Sequence, residues 1–356
     1  MSYFNAASHG LPNSSVYEAM ADFLNGQAKP VLGRALKEDE RLLDAKAAVA
    51  SVLSARVDQL GFTSTTTAAW HAVVGSLDLA GKRVLVTEHE WGDFYRLLAK
   101  RKDIEIQVLP ALDFANPDLS SWAQAIDDDV AAIFVPLVTS IAGYRYPVEE
   151  IGALPRPKGT KLIVDAAQAL GQTAVNVSHL NCDAVISTCR KWMRGPRQTA
   201  LFWINDTWGE DESPVTASSL APADQNPALI VGLGAAAQDI LQRSEQQIDQ
   251  RLRLQADDLR NWADENGIAV YGGKDAKSAI VSLDMGEKRL KAATEAFDQN
   301  GIVAKIVNLQ TAEPLQRKAD HPPKVLRLSA HIYTSKADLE QLKQVILRSL
   351  HQSGHT

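Results

Sequence analysis

The sequence predicts an α/β protein with a mostly parallel sheet, followed by a smaller α+β unit. Short apolar segments rich in β-branched residues recur between residues 83 and 204. Stretches of helical period separate them, and strands that alternate with helices form βαβ units with parallel pairing. Beyond residue 205 the pattern changes to long helices and short strands, which indicates a second unit of different architecture.

The apolar segments have the length and composition of strands buried on both faces of a sheet. They are Arg83–Thr87, Ile104–Leu109, Ala131–Pro136, Lys161–Asp165, Ala184–Thr188 and Thr199–Ile204. Helical patterns at Trp91–Arg101 and Leu119–Asp127 lie between them. We therefore expect a parallel sheet with helices packed on it.

The remaining chain divides by composition. Asp206–Asn226 has the composition of a loop, and Pro227–Asn266 has the period of one long helix. Shorter elements follow: strands at Ala279–Leu283, Ile302–Val307 and Val325–Ser329, and helices at Lys288–Gln299 and Ser335–Leu350. The predicted units are an N-terminal appendage (1–40), a large domain (41–235), a connecting helix (236–266) and a small C-terminal domain (267–356).

Composition excludes several classes of protein. The chain has 356 residues, a net charge of −6, 45% hydrophobic and 22% charged residues, which is typical of a soluble globular protein and not of a disordered one. The acidity disfavours nucleic acid as a partner, and no apolar run is long enough to span a membrane. With two cysteines and no secretion signal, we expect a reducing cytoplasm, and neither a disulfide framework nor a metal site.

Polar residues follow three of the predicted elements. Asp165 ends one strand, Lys191 lies just beyond another, and Thr63–Thr67 precedes a helix. In open α/β sheets, ligands bind outside the carboxyl ends of the strands. The three segments are therefore expected to share one site.

These residue types suit pyridoxal phosphate. A lysine that forms a Schiff base must be partly neutral, and burial and the neighbouring cations Arg190 and Arg194 would lower the pKa of Lys191. A buried carboxylate, Asp165, would hold the proton on the pyridine nitrogen. The hydroxyls of Thr65 and Thr66 at a helix N-terminus suit a phosphate dianion.

Each residue also has an ordinary structural explanation. A lysine after a strand is commonly a surface residue, and an aspartate such as Asp165 can cap a helix. Thr63–Thr67 can be a turn with an N-cap, Trp91 can be a core aromatic, and Arg190 can pair with a surface acid. The combination of Lys191 with Asp165 and Gln168 favours the functional interpretation.

Three strings give a family resemblance: DAAQALGQ (165–172), STCRKWMRGPRQTALF (187–202) and RLSAHIYTSKADLEQL (327–342). They resemble the class V aminotransferase family, the fold-type-I group that includes cysteine desulfurases, C–S lyases and isopenicillin-N-epimerase-like enzymes. The resemblance runs over nearly the whole chain, from the string FNAASHGLP (4–12) to the last helix. It implies a seven-stranded, mostly parallel sheet, pyridoxal 5'-phosphate as cofactor, an amino acid substrate and a homodimer.

The resemblance also implies roles for individual residues. Lys191 matches the Schiff-base lysine, Asp165 the partner of the pyridinium, and Gln168 the ligand of the phenolic oxygen. The other matching positions are Thr65, Thr66, Thr188 and Arg190 for the phosphate, Trp91 or else His89 for the ring that stacks on the pyridine, and Arg327 for the substrate carboxylate. In Pro136–Gly143, where the family often has Asn or His near the ring, this chain has Leu137, and Thr139 is the candidate substitute and substrate contact.

One departure from the family bears on the reaction. Desulfurases that form a persulfide need a cysteine on a loop before the carboxylate-binding arginine, and Asn308–Lys324 contains none. We therefore expect β-elimination of the C–S lyase type. Transamination and epimerisation remain alternatives, as does a non-catalytic relative that serves as an interaction module.

A second motif points elsewhere. Gly232–Ala237 matches the dinucleotide-binding pattern G-x-G-x-x-A. The helical pattern continues past residue 255, where a second strand should begin. Close packing of helices therefore explains these glycines better.

Overall fold

A seven-stranded sheet forms the centre of the protein, seen in a computed structural model that describes residues 1–26, 39–209, 215–316 and 321–352. The sheet has the strand order β2-β8-β7-β6-β5-β3-β4. Its strands are β2 (Leu60–Thr63), β3 (Arg83–Val86), β4 (Glu105–Val108), β5 (Val130–Pro136), β6 (Lys161–Asp165), β7 (Ala184–Thr188) and β8 (Ala200–Ile204). Only β8 runs antiparallel to its neighbours, so the predicted mostly parallel α/β fold is confirmed.

Alternation of side chains explains why this sheet is covered on both faces. Successive residues of a strand point to opposite faces. In β6, Leu162 and Val164 join one apolar cluster, while Ile163 joins another on the opposite face. Because both faces are apolar, helices must cover both.

Sequence patterns missed the edge strand β2. It has four residues, one of them Gly61, and pairs antiparallel with β8. A strand this short carries too few alternating positions to stand out. Its position matters because Thr63, at its end, leads within two residues to the Thr65 cap of the next helix.

Twelve helices are present in the described ranges. They are α1 (Ser14–Gly26), α2 (Glu40–Val52), α3 (Thr66–Gly75), α4 (Gly92–Ala99), α5 (Ser120–Ala125), α6 (Val148–Gly152), α7 (Ala217–Leu220), α8 (Pro227–Arg243), α9 (Glu245–Glu265), α10 (Glu287–Asn300), α11 (Leu309–Ala312) and α12 (Lys336–Gln352). The expected single helix over Pro227–Asn266 is wrong, because Ser244 has a φ of 67° and separates α8 from α9. The short helix α7 lies within the segment predicted to be a loop.

The glycines of the dinucleotide-like motif lie inside α8 and pack against other helices. A Cβ at Gly234 would lie 2.4 Å from Ala45 Cβ, and one at Gly232 would lie 2.6 Å from Met20 Cγ. The close packing expected for these glycines is therefore confirmed. The small residues of this pattern allow α8 to pack closely against α1 and α2.

The C-terminal part contains a four-stranded antiparallel sheet of order β12-β13-β10-β9. Its strands are β9 (Ala269–Tyr271), β10 (Ile280–Asp284), β12 (Lys305–Asn308) and β13 (Lys324–Ser329). Strand β11 (Ile302–Val303) instead pairs with the N-terminal strand β1 (Ser2–Tyr3). The single strand expected over Ile302–Val307 is therefore two strands in different sheets.

The N-terminal residues are joined to this C-terminal part. Besides the β1–β11 pair, Phe4 belongs to the apolar cluster of the small sheet, and Asn5 bridges to Ser329. The domain boundaries at 40, 235 and 266 stay predictions. None of the described helices has the length and apolar character that crossing a membrane requires.

Gly171 offers a test of the packing beneath the Lys191 segment. Its φ is 88°, and a Cβ there would lie 2.5 Å from the backbone nitrogen of Met193. We expect Gly171→Ala to lower the free energy of unfolding by more than the roughly 1–2 kcal/mol of a left-handed residue alone. Chemical denaturation would measure it.

Gly159→Ala is the matched control for that substitution. A Cβ at Gly159 would meet no atom within 4 Å. We expect its free energy of unfolding to stay within about 0.5 kcal/mol of the wild type. Equal losses in the two variants would contradict the packing account of Gly171.

Candidate active site

A cavity of about 660 Å³ lies at the carboxyl ends of the parallel strands. Its walls come from the ends of β6 and β7, the start of α3, the N-terminal segment and β13. All but one of the sequence-predicted site residues line it: Thr65, Thr66, His89, Trp91, Asp165, Gln168, Thr188, Arg190, Lys191 and Arg327. The structure therefore brings together residues that are up to 262 positions apart (Thr65 to Arg327) in the chain.

Thr139 is the exception. It is fully buried, and its hydroxyl accepts a hydrogen bond from the backbone N–H of Tyr144 at 3.0 Å. Its side chain thus stabilises a turn and does not line the cavity, so the expected substrate contact of Thr139 is corrected. The next residue, Ser140, lines the cavity instead.

Lys191 lies on a tight loop after β7. The loop is held by hydrogen bonds from the N–H of Arg194 to Lys191 O at 3.1 Å and from the N–H of Gly195 to Cys189 O at 2.9 Å. Burial lowers the pKa of the Lys191 amine to about 7, and the cations Arg327 and Arg190 act in the same direction, while Asp165 opposes them. A substantial fraction of this amine is therefore neutral near neutral pH.

Arg194 does not contribute to this effect as expected. Its guanidinium pairs with Asp239 at 3.0 Å and donates to Leu11 O, outside the residues that line the cavity. Arg194 lies in the loop after Lys191 with a left-handed φ of 60°. Arg327, distant in sequence, takes the place that was expected for Arg194.

Asp165 is a buried carboxylate at the end of β6. Its Oδ1 accepts a hydrogen bond from the Ala167 N–H at 2.7 Å, in a turn rather than at a helix N-terminus. Burial raises the pKa of Asp165, whereas the Ala167 N–H and the charge of Lys191 oppose the rise. Such a carboxylate needs a cationic or proton-bearing partner to remain charged.

Gln168 is fixed in the wall by two hydrogen bonds. Its Oε1 accepts from the indole N–H of Trp192 at 2.8 Å, and its Nε2 donates to Ala7 O at 3.1 Å. An amide nitrogen carries two hydrogens, so Gln168 keeps one donor after these contacts.

The first turn of α3 lines part of the cavity. Thr65 is the N-cap, and its hydroxyl accepts a hydrogen bond from the Ala68 N–H at 3.0 Å. The first amides of a helix lack partners within the helix and attract anions. Thr66, Thr188 and Arg190 line the same cavity, and the Arg190 guanidinium donates to Ser8 O.

Two aromatic side chains of the cavity, Trp91 and His89, are candidates for stacking on a ligand. The Lys191 Nζ lies 5.8 Å from the centre of the Trp91 ring, and Trp91 is partly exposed in the cavity. His89 is buried, with Nδ1 bonded to Tyr146 Oη at 2.8 Å and Nε2 bonded to Gln316 Nε2 at 3.0 Å. Trp91 is therefore the ring with more freedom to stack.

Arg327 enters the cavity from β13. Its Nη1 donates to Ser140 O at 2.8 Å, and its Nη2 donates to Ser8 Oγ at 2.7 Å. Its Nε is buried without a hydrogen-bond partner among the described residues. A buried donor of this kind calls for an acceptor, and a carboxylate ligand would supply it.

Neither cysteine takes part in the cavity. Cys182 and Cys189 are both buried, and burial raises the pKa of both thiols. Within the residues that the structure covers, no cluster of His, Cys, Asp or Glu could hold a metal ion.

The chain matches the family described as "Aminotransferase class-V" over residues 2–221. A cysteine desulfurase of Salmonella typhimurium is 24% identical over 347 residues, which cover 90% of this chain and 82% of that relative. Among solved structures, an apo cysteine desulfurase from Thermococcus onnurineus NA1 has a TM-score of 0.86 at 21% identity, covering 98% of this chain and 94% of that one. The complex of the cystine C-S lyase C-DES with its reaction product cysteine persulfide has a TM-score of 0.83 at 18% identity, covering 97% of both chains.

Fold and cavity together define an enzyme that depends on pyridoxal 5'-phosphate, of fold type I. Because the family match spans more than half of the sequence, the chain belongs to the class-V aminotransferase family. The cavity fits this cofactor in three respects: a partly neutral amine, a buried carboxylate in need of a cationic partner, and a helix N-terminus with a nearby arginine.

Three residues that shape the site were not predicted individually from the sequence, although the N-terminal segment and the Ser140–Tyr146 loop were expected to form part of the substrate pocket. Ser8 contacts both Arg190 and Arg327, Ser140 contacts Arg327, and Arg197 also lines the cavity. Ser8 lies in the string FNAASHGLP, which matches the family without pointing to a contact. Backbone contacts of Asn5 and Ala6 with Ser329 and of Gly10 with Arg190 bring this segment, and with it Ser8, to the arginines.

The lowered pKa of Lys191 predicts a pH profile for its reactivity. In cofactor-free protein the neutral fraction of this amine is about one half at its pKa of about 7 and is nearly complete more than about one pH unit above it. We expect trace acetylation of Lys191 by acetic anhydride, which reacts with the neutral amine and does not itself ionise in this range, to level off there; peptide mass spectrometry would measure it. The reaction of an ordinary exposed lysine, with a pKa of about 10.4, would still become faster with increasing pH at about pH 9. A Lys191 rate that keeps rising like that of an exposed lysine would contradict the lowered pKa.

Proposed function

We propose that this enzyme is a C–S lyase that catalyses β-elimination from an S-substituted cysteine and forms no protein persulfide. The observation that carries the proposal is the state of the cysteines. The chain has two, both buried and neither lining the cavity, so no thiolate is available to accept sulfur from the substrate. The sulfur must therefore leave the enzyme as a small-molecule thiol.

Different residues of the cavity would bind different parts of the cofactor. Thr65, Thr66, Thr188 and Arg190 would bind the phosphate, because a helix N-terminus and a guanidinium favour a dianion. Trp91 would stack on the ring, with His89 as the second candidate. Gln168 would donate its remaining amide hydrogen to the phenolic oxygen.

Asp165 would hold the proton on the ring nitrogen. A buried carboxylate with a raised pKa gains from a cationic neighbour, and the ring nitrogen is the cationic group that this cofactor offers. When bound, pyridoxal phosphate supplies an electron sink for the pair released at the substrate Cα.

Lys191 would hold the cofactor covalently and then act as the general base. Its neutral amine can accept the proton from the substrate Cα, while Arg327 binds the α-carboxylate through the donors that its protein contacts leave unused. The Cβ–S bond then breaks, and the sulfur leaves with the bonding pair as a thiolate. Hydrolysis of the remaining three-carbon fragment gives pyruvate and ammonia.

The test is to incubate the holoenzyme with S-substituted cysteines and to assay pyruvate and thiol in equal amounts. We expect Lys191→Ala to lose pyruvate formation by about 10²-fold or more, as is usual for loss of a general base. It should also lose the adduct that borohydride traps. Lys82→Ala, at an exposed lysine that does not line the cavity, is the control.

Stoichiometric pyridoxamine phosphate without pyruvate would reject the lyase and favour transamination. Racemised substrate without either product would favour epimerisation. Both reactions need the same proton transfer at Cα, and they differ from elimination in where the proton returns.

We also propose that the protein is a cytoplasmic homodimer. Two reduced cysteines suit a reducing compartment. Exposed apolar side chains on α1 and α2, at Tyr17, Leu24 and Leu43, are suited to contact with a second subunit. Sedimentation should give about twice the chain mass of 38.7 kDa, and a species of the chain mass itself would contradict the dimer.

A further inference from the structure

Glu313 is a fully buried carboxylate. It lies in the segment 308–324, where persulfide-forming desulfurases would carry a cysteine and this chain has none. Its backbone is fixed on both sides: the Glu313 N–H donates to Leu309 O at 2.8 Å, and the Gln316 N–H donates to Glu313 O at 3.0 Å. The side chain therefore starts from a defined place at the end of α11.

Ser140 connects this carboxylate to Arg327. Glu313 Oε1 accepts hydrogen bonds from the backbone N–H of Ser140 at 3.2 Å and from its hydroxyl at 2.9 Å. The carbonyl of Ser140 accepts from Arg327 Nη1 at 2.8 Å. Glu313 thus orients the residue on which the guanidinium rests.

Glu313 and Arg327 leave part of their bonding capacity unused. Among the described residues, Arg327 Nε and Glu313 Oε2 are both buried without a hydrogen-bond partner. The Arg327 guanidinium is therefore held by Ser140 and Ser8 but is not saturated by a carboxylate of the protein. That leaves it able to bind a carboxylate from outside.

Electrostatics act in the same direction. Burial lowers the pKa of Arg327 to about 10, and the negative charge of Glu313 opposes this change. Burial raises the pKa of Glu313 to about 7, and the donors of Ser140, the backbone of Ile141 and the charge of Arg327 oppose this rise. Arg327 therefore stays charged near neutral pH, and Glu313 acts on it through the hydrogen bonds to Ser140, which need an acceptor oxygen and not a full negative charge.

We propose that Glu313 is a positioning residue for substrate binding: through Ser140 it holds Arg327 in the orientation that binds the α-carboxylate of the amino acid. This inference rests on the proposed role of Arg327. Glu313 itself is absent from the lining of the cavity and acts only through its neighbours.

Glu90 provides a matched control. It is also a buried carboxylate near the cavity, and its Oε1 accepts from the N–H of Thr87 at 3.3 Å and from the Thr87 hydroxyl at 2.9 Å. Within the described part of the chain, the hydrogen bonds of Arg327 go to Ser140 and Ser8 and not to Thr87. Removing either carboxylate leaves a backbone N–H and a hydroxyl without their acceptor. Only Glu313, however, is linked through Ser140 to Arg327.

The experiment compares the binding of L-alanine and ethylamine to the holoenzyme, followed by the visible absorbance of the bound cofactor. The two ligands differ in the α-carboxylate. We expect Glu313→Leu to raise the Kd of alanine by about 10-fold or more, the scale of a hydrogen bond to a charged group, and to leave ethylamine within about 2-fold. Glu313→Gln, which keeps an acceptor for Ser140, should restore alanine binding. Glu90→Leu should not change the preference for alanine over ethylamine.

Several outcomes would overturn the inference. These are an equal loss for both ligands in Glu313→Leu, no recovery in Glu313→Gln, or the same change of preference in Glu90→Leu. If Glu313→Leu does not fold, Ser140→Ala, which removes one of the two donors, must still raise the Kd of alanine selectively.

Arg327→Ala separates this inference from the proposed function. If Arg327→Ala weakens alanine binding but Glu313→Leu does not, only the positioning role is wrong. If Arg327→Ala leaves alanine binding unchanged, the carboxylate role of Arg327 is wrong, and the role of Glu313 falls with it.

Discussion

The site depends on a parallel strand pair that ends in a buried acid and is followed by a buried amine. Asp165 closes β6 opposite Ile186 of β7, and the chain leaves β7 at Thr188 to reach Lys191 three residues later. Neither charge would be stable in such a wall by itself. Each affects the pKa of the other, and burial moves both toward the neutral form. The fold thus holds two reactive groups that a ring with a basic nitrogen and an aldehyde can satisfy together.

Distant parts of the chain complete this arrangement. The N-terminal segment contributes Ser8 and the C-terminal sheet contributes Arg327, and the hydrogen bond between them joins the two ends over the cavity. Ser140, from the loop after β5, also fixes Arg327, because its carbonyl accepts a hydrogen bond from the guanidinium. In the proposed function, the substrate carboxylate would thus be bound beside the large sheet, by segments that are not strands of that sheet.

Most of the sheet and most of the cavity could be predicted from local patterns. Buried parallel strands are continuous apolar runs, so β6 and β7 were recognisable, and the residues after them were expected to share one edge of the sheet. The break at Ser244, the short strand β2 and the division of Ile302–Val307 were not predictable, because each depends on contacts with remote segments. For the same reason Thr139 was assigned a role that its neighbour Ser140 has the geometry to fill, and Arg194 was expected where Arg327 lies.

The pairing of β1 with β11 has a consequence for how the protein is made. Residues 2 and 3 leave the ribosome long before their partners, residues 302 and 303. Arg327 emerges later still, and until then the Ser8 hydroxyl lacks the guanidinium from which it accepts a hydrogen bond. Contacts so far apart in the chain form slowly, because a long loop must close before they are gained. The pocket therefore stays incomplete until the C-terminal sheet has been synthesised, and until then these early residues lack their partners.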